Sequence, residues 1–173
     1  FRTEIWIPGD PFKESDKEEF ISLLKADFSN IGEKMGAVRK SLEQLKQVEF
    51  APFFAVTGNS TVPEETVDGL LVSHIRYQGF QGNIRATTRP ISFDQQALGQ
   101  IMALPELATW YSDGGLLVSD NLGSAAVHEF YAAGGGQFQA RIAARDSFIA
   151  GNDLLYLGNI KSDDTPDSYT SVI

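Results

Sequence analysis

Three short apolar runs, GLLVSHI at 69–75, GLLVS at 115–119 and DLLYL at 153–157, constrain this chain more than any other feature. Each is nearly continuous in Leu, Val and Ile, the mark of a strand buried on both faces. Stretches with helical spacing lie between them. Strands of this kind, separated by helices, pair in parallel through right-handed crossovers. A fourth β-rich run, TEIWI at 3–7, stops at Pro8-Gly9. The fold class expected is therefore α/β, a parallel sheet made of βα units, in one domain spanning 1–173.

The helical segments are readable from caps and periods. Ser15 with Glu18 makes a capping box for a helix to Phe28, on which Phe20, Leu23 and Leu24 keep the helical period. Residues 29–36 read as loop. Ser41 to Val56 reads as a second helix that Pro52 must bend or reset. Ser92 with Gln95 opens a helix to about Met102, and Pro105 begins another turn. Leu122–Tyr131 and Gln137–Ala150 are split by Gly134-Gly135-Gly136, and Gly151 closes the second as a C-cap. The order predicted is β-α-α-β-α-β-α-α-β. The polar stretch 76–90 is a long loop of the kind that often carries function.

Composition excludes several roles. The formal charge of −9 repels phosphates, so neither nucleic acid nor an anionic membrane surface is an expected partner. The absence of cysteine removes disulfides and thiolate metal sites. No metal and no cofactor is predicted. No apolar stretch approaches the ~20 residues that cross a bilayer, and no signal peptide is visible. Localisation stays open. The start at Phe1 and the tail TPDSYTSVI are expected to be cut ends of a longer chain.

Ligand chemistry in parallel α/β sheets gathers at the carboxyl ends of strands. Those ends are Pro8-Gly9-Asp10, Ser73-His74-Ile75-Arg76, Ser119-Asp120-Asn121 and Leu157-Gly158-Asn159. Asp120 reads either as a catalytic carboxylate or as a cap on the helix beginning near Leu122. His74 reads as a ligand contact or as a hydrogen-bonded core histidine. His128 reads as a surface or packing residue, and Asp153 as a turn and strand-start residue. Phe50, Phe53 and Phe54 read as core, leaving Trp110 and Tyr111 as the aromatic contacts to consider. The triple glycine lacks the Lys-Ser/Thr of a phosphate loop and reads as a connector.

The stretch LLVSHIRYQGFQGN, RPISFDQQALGQIMALPELATWYSDGGLLVSDNLGSAAVHEFY and ARDSFIAGNDLLYLGN, with SLEQLKQVEFAPFFAV before it, resembles glycoside hydrolase family 3, in particular its β-N-acetylhexosaminidase-like branch. The likeness covers roughly 37–160, leaving 1–36 divergent and 161–173 a truncated tail. It implies the second half of a (β/α)8 TIM-type barrel. It also implies that Asp120 is the nucleophile of a retaining glycosidase, of β-N-acetylhexosaminidase or β-glucosidase type. His74 and Arg76 would then contact the sugar. The family's KHFPGHG-like strand end corresponds to EIWIPGD here, which keeps Pro8-Gly9 and lacks both the Lys and the His. A retaining mechanism needs a second carboxyl about 5–5.5 Å from the first. Asp10 and Glu14 are the acid/base candidates, and spacing selects neither. About four of eight barrel strands are present, so a complementary barrel half or a second copy is an expected partner beside the carbohydrate substrate. The alternative function is a catalytically inactive carbohydrate-binding or interaction module. A receiver-like phosphoacceptor also presents a strand-end Asp, but IWIPGD offers no acidic pair and LLYLGN no Lys.

Overall fold

A computed structural model of the chain describes residues 35–61, 63–133, 135–163 and 172. The strand expected at 3–7 and the helix at 15–28 lie outside the described residues, as do Asp10 and Glu14.

Among the described residues all strand pairing is parallel. Strand β1 (Gly36–Val38) pairs with β3 (Ile75–Tyr77), and β2 (Gly69–Val72) pairs with β4 (Leu116–Ser119). Val118 bridges Leu154 in the same sense. The described strands thus make two parallel pairs, β1 with β3 and β2 with β4, and helices lie between the members of each pair in the chain. This is the α/β architecture read from the apolar runs.

The run 69–75 is not one strand. It breaks at Ser73-His74, where the Ile75 amide turns back to the Ser73 carbonyl at 2.9 Å. The first half then serves β4 and the second serves β1. Gly36, expected as the end of a loop, instead starts the strand Gly36–Val38, for which β3 supplies the partner. The run 153–157 makes only the single bridge at Leu154. Side chains take the backbone groups on either side of it: the Asp153 carboxylate accepts from the Leu117 amide at 2.8 Å, and Ser119 Oγ accepts from the Tyr156 amide at 2.9 Å.

Helix α1 (Leu42–Gln47) is capped by Ser41 in a reciprocal box with Gln44. The chain resets at Phe50 and restarts as α2 (Ala51–Ala55), with Pro52 in its first turn, where a missing N–H costs nothing. A short helix, α3 (Gln78–Gln81), interrupts the loop expected at 76–90. Next come α4 (Gln95–Met102), α5 (Pro105–Ser112), α6 (Ala125–Ala132) and α7 (Ala140–Ala150). Gly151 closes α7 in the left-handed conformation at φ 113°, which suits glycine. Two expected caps differ. Asp94, not Ser92, caps α4, and Ser124 caps α6, so Asp120 is not a helix cap.

Register divides the β2–β4 sheet into two faces, since paired residues in a parallel ladder share a side. Val72, Leu117 and Ser119 turn toward the helices and are buried. There they join Leu45, Phe50, Phe54, Leu98, Ile101, Leu107 and Trp110. A second core under the strand ends holds Phe93, Leu122, Val127, Phe138 and Ile160. The opposite sheet face carries Leu71, Leu116, Val118 and Leu154. Leu116 and Leu154 are 42% and 52% exposed. Among the described residues nothing covers that face as the helices cover the other. No described helix is long and apolar enough to cross a membrane.

Candidate functional site

The carboxyl ends of β2 and β4 and the 157–160 turn converge. Leu117 and Ser119 are buried on β4, and Asp120 follows directly at its carboxyl end. The Asp120 amide donates to the Val72 carbonyl at 3.1 Å, and the Leu122 amide to the Tyr156 carbonyl at 2.9 Å. Asp120 is half-buried, and its Oδ1 accepts from the Asn121 amide at 2.7 Å. Asn121 Oδ1 accepts from the Gly123 amide at 2.9 Å, which tightens the turn. Gly158, at φ +55°, lies so close that a Cβ there would stand 2.1 Å from Asn121 Oδ1.

His74 sits in the strand break and faces this turn. It is buried, and its ring stacks on Phe93 at 5.2 Å with planes 8° apart. Nδ1 lies 2.7 Å from Ser92 Oγ and Nε2 lies 3.0 Å from the Asn121 carbonyl. Burial pushes the His74 pKa below its ordinary value, against the opposing pull of the Asn121 carbonyl and the Asp120 charge. A carbonyl can only accept, so Nε2 carries the proton of the neutral ring and Nδ1 accepts from the Ser92 hydroxyl.

Arg76 is placed differently. Its guanidinium donates to the carbonyls of Thr88, Ala86 and Met35 at 2.5, 3.2 and 3.4 Å, and lies over the Phe130 ring at 5.6 Å. It pins the 82–90 loop against β1 and α6. Beyond Phe93 stands Tyr131, whose hydroxyl donates to Asp146 at 3.2 Å; burial, chiefly, holds its pKa far above the ordinary value. Arg89 and Arg145 complete the Asp146 cluster.

The structure therefore brings His74 and Asp120 into one cluster and commits the charged end of Arg76 to backbone. Three members were not visible as such in the sequence. Ser92 looked like a helix opener, and its hydroxyl instead holds His74. Asn121 stood only as a strand-end residue beside Asp120. Asn152 is buried and donates to the Ser92 carbonyl at 3.0 Å and the Ser147 carbonyl at 2.7 Å. The position of Asn152 after a C-cap glycine offered no signal. Trp110 is buried, with its indole N–H on the Val67 carbonyl at 2.7 Å, so it packs and presents no open ring. His128 pairs with Asp163 at 2.8 Å on the surface.

Among the described residues no group of three His, Asp or Glu side chains could hold a metal ion. A cavity of about 680 Å³ lies among Thr57, Asp68, Thr109, Asp113 and Leu116. Those residues gather at the amino ends of β2 and β4, so this cavity is not built around Asp120.

No protein-family profile matches the sequence, and no curated protein does. Solved structures do. The chain is similar to a glycoside hydrolase family 3 β-N-acetylglucosaminidase from Paenibacillus sp. at 22% identity and TM-score 0.52, over 73% of this chain and 20% of that one. It is similar to a fungal multi-domain GH3 β-N-acetylglucosaminidase at 17% identity and TM-score 0.59, over 82% and 14%. A β-glucoside phosphorylase, BglX, aligns at 12% identity and TM-score 0.56, over 82% and 22%. The chain thus spans about a fifth or less of the first two chains, and its fold is that of a segment of them.

Proposed function

We propose that this chain, sharing its fold with a segment of glycoside hydrolase family 3 proteins, belongs to that family and is the nucleophile-bearing part of a retaining glycosidase for β-N-acetylglucosaminides or β-glucosides. The observation that carries the reading is Asp120 directly after β4, close enough to His74 for its charge to act on the ring, with its neighbour Asn121 bonded to that ring. In this reading an Asp120 oxygen bonds to the anomeric carbon as the glycosidic C–O bond breaks. A general acid protonates the leaving oxygen. Water then cleaves the ester with retention. One oxygen of Asp120 is steadied by the Asn121 amide, and the other is the attacking atom.

The second carboxyl comes from outside the described cluster. Asp10 and Glu14 remain the acids proposed within this chain. The bare apolar side with Leu116 and Leu154 supports completion by a complementary barrel half or a second copy, which would also wall the sugar site. Neither a nucleic-acid nor a membrane partner is proposed, given the charge of −9. A second reading, a carbohydrate-binding module without turnover, is favoured by one fact: Asp120 Oδ1 is bonded to an amide of its own turn.

Incubation of the full-length protein with aryl β-N-acetylglucosaminides and β-glucosides, read by product release and intact mass, separates the two. The glycosidase reading expects turnover, a glycosyl adduct mapping to Asp120 and loss of both in Asp120→Asn. Sugar binding with no turnover and no adduct would establish the module instead.

A further inference from the structure

His74 is bound on both ring nitrogens by the protein itself. Nε2 holds the Asn121 carbonyl at 3.0 Å, Nδ1 meets Ser92 Oγ at 2.7 Å, and Phe93 covers one ring face. Behind Ser92 the chain of bonds continues. Asn152 donates to the Ser92 carbonyl and also reaches Ser147 on α7. Ser92 and Ser147 are fully buried and Asn152 is 2% exposed, so the assembly is fixed in the interior. Its outer end is Asn121, which is held at three atoms. Its carbonyl is on His74, its side-chain oxygen is on the Gly123 amide, and its own amide is on the Asp120 carboxylate.

We infer that His74 and Ser92 are positioning residues: they hold the Asn121 peptide so that its amide fixes the direction of the Asp120 carboxylate. The inference rests on the nucleophile reading of Asp120. It assigns His74 no bond to substrate, since neither ring nitrogen has a lone pair or proton left to offer one. A nucleophile that is misdirected loses reaction rate while ground-state sugar binding persists, so the loss falls on kcat.

The test uses the full-length protein with His74→Phe, His74→Gln and Ser92→Ala. Phe keeps the stacking shape and removes both nitrogens. Gln can donate to the Asn121 carbonyl and accept from Ser92. Amide hydrogen exchange is followed by mass in peptides covering 117–124, beside kcat and KM on the aryl glycoside. For His74→Phe we expect exchange at Asn121 and Gly123 about tenfold faster, and kcat down about tenfold with KM within about twofold. Ser92→Ala should move both readouts the same way by about threefold, and His74→Gln should restore them most of the way. A rise in KM at unchanged kcat would make His74 a sugar contact and overturn the inference. Unchanged exchange in His74→Phe, or faster exchange with full kcat, would overturn it as well. If the unaltered protein neither turns over nor forms an adduct, the glycosidase reading fails, and the positioning of Asp120 for catalysis falls with it. The exchange data then decide only whether His74 holds the turn.

Discussion

Replacing Gly158 by alanine should destabilise the protein through the turn that follows β4, and the cost can be divided in advance. The backbone at Gly158 has φ +55°, where an L-residue costs about 1–2 kcal/mol. The new Cβ would also stand 2.1 Å from Asn121 Oδ1, far inside contact distance. The carboxamide must swing aside, which forfeits its bond to the Gly123 amide, worth about 1 kcal/mol. The sum is about 2–3 kcal/mol. Asn121→Ala removes the obstructing group beforehand, so in that background only the backbone part remains. The double variant should therefore be less destabilised than the sum of the singles by about 1 kcal/mol. Urea unfolding of the four proteins measures this as midpoint shifts at constant slope. Strict additivity, with Gly158→Ala costing the same in both backgrounds, would refute the contact between Gly158 and Asn121.

Two further outcomes follow from burial and charge. Leu117 is 1% exposed between the sheet and its helices, and Leu117→Ala should cost about 2–5 kcal/mol by denaturant unfolding; a loss under ~1 kcal/mol would mean the site collapses freely. Burial, chiefly, holds the folded His74 imidazole below its ordinary 6.5, so the unfolded chain takes up the proton first. Its stabilising contribution is complete above that value and is lost as pH falls from it through the folded pKa. Melting temperatures recorded from about pH 7 to about pH 5 should fall more steeply for the unaltered protein than for His74→Gln. Equal slopes would show that His74 takes no part.

The strands at 69–72 and 116–119 were legible because unbroken apolar runs have few other fates in a chain of this size. Their carboxyl ends were legible for the same reason, and with them the proximity of Ser73-His74 to Asp120-Asn121. The break after Val72 was not, since Ser-His-Ile carries no local stop signal and the split arises from serving two neighbours at once. Gly36–Val38 has no strand pattern of its own and forms only because Ile75–Tyr77 lies beside it. Ser92 misled for a physical reason: a serine three residues before glutamine satisfies the capping pattern, yet Asp94 lies closer to the helix and takes the cap. Asn152 was silent because a buried amide is recognised only by what surrounds it.

The pairings join Gly36 to Ile75, Gly69 to Leu116 and Val118 to Leu154, each roughly 40 residues apart. During synthesis each of these described pairings can close once about one further βα unit has emerged. The later strand of each pair emerges to find its mate already made, so these pairings can form in step with synthesis.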